Sequence, residues 1–516
     1  MSSPLPVIAV MDVGKTNKKL FLFDENYTIV HEQSARFTET TDEDGDPCEN
    51  LDSLRLSLFD SLHAINKKEF AVKALNFSAY GASLVYIDKE GTPLTPLYNY
   101  LKPYPPALQK KFYEQYGGEE QFSVCASSPV LGSLNSGMQL YRLKHERPAL
   151  FNKVRYALHL PQYLSFLVSG KACSDMTSIG CHTNLWDFKK NTYHDWVYTE
   201  ELDALLAPVV PYDHVTPAVL DGNHFACGPG LHDSSAALIP YLLNFREPFV
   251  LISSGTWCIS LNPFNRSPLT AKELQQDCLC YLDFKGNPVK ASRLFAGRIH
   301  DEQVKRIAEH FHTNPVVYRS MPFQPEWIQS WNPHNPPVDF TTRELSGFAS
   351  GEEAYHQLMM DLVTQQYLST QLVLNGAAVK RIFVDGGFSD NAIYMNLLAA
   401  AFPDMEVYAA TMAQATSLGA ALAIHSAWNN GPYPADSIGL RHYATYSSPR
   451  YSCVVENSLS GHYVSRKRYL SPVNCYASLP VEPVTGDGAP ACSKQLPAVF
   501  IYFKTLIRPL WKCTKT

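Results

Sequence analysis

Four short segments hold residue types that could move a phosphoryl group: Asp12-Val13-Gly14-Lys15-Thr16-Asn17, His232-Asp233-Ser234, Ser253-Ser254-Gly255-Thr256-Trp257 and Asp385-Gly386-Gly387-Phe388-Ser389-Asp390-Asn391. Three of them follow apolar β-type runs and put small or hydroxyl residues at a turn, where backbone N–H groups can point at phosphate oxygens. Such turns suit a nucleotide-dependent phosphotransferase. Asp12 cannot bind phosphate directly, both being anionic, so its expected role is to hold Mg²⁺ through water; the other reading is an Asp that caps a hairpin turn. Lys15 can meet a phosphate as a point charge, and Ser254-Gly255-Thr256 supplies two hydroxyls and flexible backbone for a second phosphate clamp. Asp385-Gly386-Gly387 lets backbone approach a base or phosphate where no Cβ intrudes, with a helix expected to start at Ser389, Asp390 or Asn391. Asp233, just before a small-residue helix, can accept a proton from an alcohol attacking a γ-phosphate; the other reading is a helix N-cap.

The elements that position these segments are legible as patterns. Val7 to Met11 and Leu20 to Asp24 read as two strands of a hairpin around the first turn, and Phe249 to Ile252 and Trp257 to Leu261 repeat that arrangement, which suggests a structural duplication. A hairpin argues against a dinucleotide-binding opening, which needs a helix after its Gly-rich turn. Gly14-Lys15-Thr16 is not a P-loop either, because the Gly required five residues earlier is Ala9. Helical spacing runs over Asn50 to Asn66, Gly137 to Arg147, Pro161 to Val168, Glu352 to Leu374 and Ala413 to Trp428; further strands are expected at Val72 to Phe77, Leu84 to Ile87 and Arg381 to Val384.

At 516 residues the chain exceeds what one hydrophobic core serves, so two major domains are expected. With 45% hydrophobic and 18% charged residues it reads as a folded enzyme. A net charge of −6 gives no reason to expect a nucleic-acid or anionic-membrane partner, no apolar run is long enough to span a bilayer, and no secretory signal is visible, which predicts a cytoplasmic protein. The twelve cysteines are scattered and read as reduced thiols, and Cys278-Leu279-Cys280 lacks zinc-knuckle spacing. From Pro432 onward ten Lys/Arg face four Asp/Glu, with nine of the 36 prolines, which reads as a loose or peripheral basic extension.

In this order and spacing, the four segments resemble the FGGY carbohydrate kinases of the actin, Hsp70 and sugar-kinase superfamily, from about residue 7 to about residue 428. Further matching stretches are Lys144 before His145-Glu146-Arg147-Pro148, Pro161-Gln162-Tyr163-Leu164, Ser174-Asp175-Met176-Thr177 and Ala413 to Ala421. The resemblance implies an α/β fold of two ribonuclease-H-like lobes with an interlobe cleft: residues 1–245 for sugar and phosphate, 246–430 for ATP, and 431–516 as the extension. It implies ATP and Mg²⁺ as cofactors, a small-molecule sugar as partner, Asp233 as general base, His232 and Ser234 beside the sugar, and Tyr80-Gly81 at the turn approaching it. Gly14, Lys15, Thr16, Asn17, Lys19, Ser254, Gly255, Thr256, Gly386, Gly387 and Asn391 would line the nucleotide, and a homodimer is a further expectation. Ser253 to Trp257 looks most like the rhamnulokinase and L-fuculokinase branch, which favours a 6-deoxy ketose such as L-rhamnulose or L-fuculose over xylulose, ribulose or glycerol. The pattern departs from relatives at Phe388, Asn396 and Gln414, and Leu294-Phe295-Ala296-Gly297 supplies no assigned polar sugar contact. The readings of another class are a non-catalytic nucleotide or sugar sensor on the same fold and a sugar-independent ATPase.

Overall fold

Two seven-stranded mixed sheets form the frame, and their central strands are apolar on both faces because both faces are covered. The computed structural model describes residues 3–444 except 16–17, 36, 329–330, 375, 377, 412–413 and 435–436. In the first sheet β1 (Leu5–Val13), β2 (Lys18–Phe23) and β3 (Ile29–Ser34) make an antiparallel meander. Helix α1 (Leu51–His63) then crosses to β4 (Phe70–Ala79), which lies parallel to β1. Beyond β4 come β5 (Thr216–Leu220) and β6 (Asn223–Cys227), and the two-residue β7 (Leu231–His232) pairs with the end of β4, setting His232 opposite Ala79.

The second sheet repeats this scheme. Strands β8 (Phe249–Ser254) and β9 (Cys258–Asn262) are antiparallel, and β9 continues into β11 (Pro288–Leu294) and then β10 (Cys278–Leu282). On the other edge β12 (Arg381–Gly386) and β13 (Glu406–Ala410) run parallel to β8. The sheet passes the expected boundary at 430: β14 (Leu440–Tyr443) pairs antiparallel with β13, so this part of the extension is integral to the fold rather than peripheral. The remainder of the basic extension, including the short helix-compatible run 496–510, lies outside the described residues.

The two lobes meet through two helices of small residues, α2 (Asp233–Asn244) and α6 (Ala415–Ala423). A Cβ on Gly419 would stand 1.9 Å from the Ala236 carbonyl oxygen, an approach only glycine allows. Asn76 of β4 donates to the Ala420 carbonyl at 2.7 Å and fastens α6 to the first sheet. Leu418 to Ile424 pack with Ile8, Val10, Phe21 and Phe23 of that sheet, whereas Leu238 and Tyr241 of α2 pack with Phe249, Leu251 and Ile259 of the second. This packing sets the N-termini of both helices side by side at the open ends of the two sheets. The apolar run after Ala413 predicts one helix to Trp428; instead α6 stops at Ala423 and a 3₁₀ turn covers His425–Ala427, because the His425 ring is drawn to the Tyr27 hydroxyl (2.7 Å) and the Gly431 carbonyl (2.8 Å).

The eight cysteines among the described residues are free thiols, as scattered spacing predicts. Among those residues no helix is long and apolar enough to cross a membrane.

Candidate active site

Asp12 stands near the end of β1, paired with Ser78 of β4. Its Oδ2 accepts hydrogen bonds from Thr416 Oγ1 (2.6 Å) and Ser417 Oγ (2.9 Å), both from the first turn of α6. Burial pushes its carboxyl up to about 6; the two hydroxyls work against that shift, and the charge of Asp233 adds to it. Asp385, 3% exposed at the end of β12, is pushed by burial up to about 7 with a contribution from Asp12, although the Gly386 N–H bonds it at 2.7 Å. Asp233 completes the group, raised by burial to about 6. Burial thus holds three carboxyls on three elements above the usual range, Asp233 adding to the shift of Asp12 and Asp12 to that of Asp385, and among the described residues no Lys or Arg is ion-paired to any of them. Such a set fits a hard divalent cation bound to carboxylate and water oxygens. The tighter acidic cluster, Asp42, Asp44 and Asp46, does not, because Lys102 already sits in it at 2.5, 2.7 and 3.4 Å.

Asp233 is the first residue of α2; His232 occupies the N-cap position, so the carboxylate is not spent on capping. Two donors converge on its Oδ1, Ser234 N (2.6 Å) and Ser234 Oγ (3.2 Å), and His232 Nε2 lies 3.2 Å from the same oxygen. Burial lowers His232 to about 4, so the ring is neutral at pH 7. Among the described residues no donor engages Oδ2, which is left to accept a proton. The side chain keeps 29% exposure towards solvent, less enclosed than its raised pKa suggests, because the atoms crowding it leave one open side.

Tyr80-Gly81 lies against His232: a Cβ on Gly81 would come within 2.9 Å of its ring. The Tyr80 and Tyr100 rings meet edge-on at 5.8 Å, and burial, followed by the charge of Asp233, raises the Tyr100 hydroxyl to about 12. From the second lobe come Tyr281, 5.3 Å from the His232 ring, and Arg293, stacked 5.1 Å from Trp257 and bonded to Asp277 at 2.6 Å. Lys15 does not stand free in its turn; its Nζ lies 3.2 Å from Glu49 Oε1.

The remaining sequence-predicted residues divide by position. Gly386, at φ +83°, lies so close to β8 that a Cβ would stand 1.9 Å from the Ser254 carbonyl, and Gly387 N–H donates to that carbonyl at 2.9 Å. The Ser254 hydroxyl donates to the Asp385 carbonyl (2.5 Å) and accepts from Phe388 N–H (3.0 Å), so it ties the two C-lobe turns together. Gly255 and Thr256 are braced by α3 (Ala296–His310): Arg298 N–H donates to the Thr256 carbonyl, and a Cβ on Gly297 would stand 1.8 Å from the Gly255 carbonyl. The segment 294–297 thus buttresses a turn. Asn391 is the N-cap of α5 (Ala392–Ala401), accepting from Tyr394 N–H, and donates to the Tyr355 hydroxyl at 2.7 Å. Lys19 is turned away, exposed and paired with Glu32 at 2.6 Å. Gly14 is half-buried beside Lys15, and Thr16 and Asn17 lie outside the described residues.

Sequence reasoning missed Glu49, Tyr100, Tyr281, Arg293, Thr416 and Ser417. Glu49 lies just outside the helical run that the pattern marks from Asn50, the cap of α1, and no local signal singles it out. Thr416-Ser417 fall inside the small-residue run that reads as a closely packed helix, although two hydroxyls opening such a helix could have marked a polar contact.

Residues 7–219 match the N-terminal domain of the FGGY family of carbohydrate kinases, and residues 246–432 match the C-terminal domain of carbohydrate kinase FGGY. Similar curated proteins include the rhamnulokinase of Halalkalibacterium halodurans, 23% identical over 265 residues, covering 48% of this chain and 54% of that protein. The rhamnulokinase of Klebsiella pneumoniae (strain 342) is 25% identical over 249 residues, 44% of this chain and 48% of that protein. The chain thus spans about half the length of the curated relatives it matches. Among solved structures, a carbohydrate kinase from Novosphingobium aromaticivorans aligns with TM-score 0.68 at 22% identity, covering 86% of this chain and 95% of that one. A ligand-bound xylulose kinase from Lactobacillus acidophilus gives 0.69 at 16%, covering 86% and 94%. At such identities these two show the common fold.

Proposed function

The chain belongs to the FGGY family of carbohydrate kinases, and from that premise we propose that it transfers the γ-phosphoryl group of ATP to a hydroxyl of a ketose, a 6-deoxy sugar such as L-rhamnulose or L-fuculose. The observation that carries the proposal is the state of Asp233: one oxygen held by two donors of Ser234, the other without one among the described residues, and a carboxyl raised to about 6 so that it is ionised yet basic at neutral pH. The choice of sugar is supported by the similarity to proteins described as rhamnulokinases.

On this reading the sugar hydroxyl gives its proton to Asp233 Oδ2 as its oxygen bonds the γ-phosphorus and the bond to the ADP oxygen breaks. Ser234 fixes the carboxylate through Oδ1, with the His232 ring 3.2 Å away, so the base does not rotate away from the hydroxyl. Asp12 and Asp385 would hold Mg²⁺ through water, with Thr416 and Ser417 fixing Asp12. ATP·Mg²⁺ when bound supplies the phosphoryl group and neutralises the charge that develops on its oxygens. The rigid glycine turns at 255 and 386–387, whose own N–H groups are bonded to Trp257, Asp385 and Ser254, would let the nucleotide approach closely where no Cβ intrudes. Approach of the lobes about the α2–α6 seam would exclude water, which otherwise competes with the sugar.

The test is ADP release with ATP·Mg²⁺ and a panel of L-rhamnulose, L-fuculose, D-xylulose, L-ribulose and glycerol. A large stimulation by a 6-deoxy ketose supports the proposal; stimulation by another compound reassigns the sugar; nucleotide binding with no stimulation by any favours a sensor.

A further inference from the structure

Lys15 and Glu49, 34 residues apart, form a buried ion pair with no place in the phosphoryl-transfer geometry above. The Lys15 ammonium lies 3.2 Å from Glu49 Oε1 and 5.7 and 5.9 Å from the ring centres of Tyr80 and Tyr100, an aromatic corner rather than a phosphate turn. Lys18 stands behind the same oxygen at 3.7 Å. Glu49 is 3% exposed, and its second oxygen, Oε2, is buried without a hydrogen-bond partner. A carboxylate oxygen in that state is unfavourable unless something donates to it in the working complex.

The corner adjoins the base. Tyr100 is influenced by both Asp233 and Glu49, Tyr80 by Glu49, and Gly81 continues directly to His232. From the opposite lobe the Trp257 indole reaches the Tyr100 hydroxyl. A small molecule presenting one hydroxyl to Asp233 would therefore lie along the Tyr80–Tyr100 corner with its other hydroxyls near Glu49 and Lys15.

We propose that Lys15 and Glu49 form a subsite that reads two neighbouring hydroxyls of the acceptor sugar, the ammonium donating to one and Glu49 Oε2 accepting from the other, with Tyr80 and Tyr100 as its walls. The inference rests on the sugar-kinase reading and moves Lys15 from the nucleotide to the sugar. Lys15 and Lys18 both face Glu49 Oε1, so what the corner leaves unmet is the acceptor Oε2, which calls for a hydroxyl donor.

The test uses the full chain and the best acceptor of the panel, comparing native protein with Glu49→Gln and Lys15→Met. Glu49→Gln should raise the sugar KM roughly 10–100-fold, the usual weight of a hydrogen bond to a charged group, with the ATP KM changed less than about twofold. Lys15→Met, on a partly exposed turn, folds irrespective of the fate of the Glu49 variant and should show the same split. A Lys15→Met protein with raised ATP KM and unchanged sugar KM overturns the subsite, as does a Glu49→Gln protein that loses thermal stability with both KM values unmoved. If the native protein phosphorylates no sugar, the kinase reading itself fails; if it is active and indifferent to both substitutions, the subsite alone fails.

Discussion

The turn after β1 and the turns after β8 and β12 occupy equivalent places in two sheets of like topology, yet they are built from opposite materials. The first carries its chemistry in charged side chains that leave their own lobe: Asp12 is held by two hydroxyls of α6, 404 and 405 residues away. The C-lobe turns look inward. Ser254 bonds Asp385 and Phe388, Gly387 bonds Ser254, and Gly255 and Gly386 are pressed on by Gly297 and Ser254. Repeating a topology therefore does not repeat a site. One lobe contributes charge that responds to the other lobe, and the other contributes backbone fixed by its own hydrogen bonds, which opens close approach where no Cβ intrudes.

That contrast can be broken at either end. The largest effect falls on the charged side: Asp233→Asn should lower kcat about 10²–10⁴-fold while nucleotide affinity, measured by calorimetry, stays within a few-fold. On the backbone side Gly386→Ala should lose roughly 1–3 kcal/mol and raise the ATP KM, since it combines φ +83° with a 1.9 Å clash. Gly255→Ala, whose Cβ meets open space, should be nearly silent in the same denaturant titration.

The carboxylates give a pH test. Asp385 has a folded pKa of about 7 against an ordinary 3.8, so its contribution to stability is full below about pH 4 and is lost as pH rises through 7. In chelator, Asp385→Asn removes this loss, so the stability of the variant relative to the native chain should rise between pH 5 and 7.5 and level off above; a flat difference would mean the carboxyl is not buried as described. Thr416→Val with Ser417→Ala should increase the Mg²⁺ needed for half-maximal activity about tenfold, read from a metal titration at fixed ATP. Smallest of all, Lys19→Ala should leave activity unchanged and stability within about 1 kcal/mol, because its pairing with Glu32 is exposed.

The sequence made the turns legible because each is local: an apolar run, then Asp or Ser, then Gly. Val7 to Met11 announced β1, which extends two residues further at each end, and Asp12, Asp233 and Asp385 were visible as acids at the ends of elements. The strand Ile29–Ser34 was not, since His31, Glu32 and Gln33 on a sheet edge interrupt the alternation that marks a half-buried strand. What each charged residue faces could not be read at all. Lys15 has phosphate-binding character in its turn and meets Glu49 only because the segment 47–49 runs beside it, and Asp12 meets Thr416 only because Gly419 lets two helices touch. Partners separated by hundreds of residues are chosen by packing, which leaves no periodic trace.

The central claim is that Asp233 couples ATP turnover to the sugar. The direct measurement is phosphorus NMR of the full chain with ATP·Mg²⁺ and L-rhamnulose or L-fuculose, counting sugar phosphate against ADP for the native protein and for Asp233→Asn. The account predicts one sugar phosphate per ADP in the native protein and neither product from the variant. ADP formed without sugar phosphate by the native protein, or a variant keeping more than about a tenth of the native rate, would contradict it.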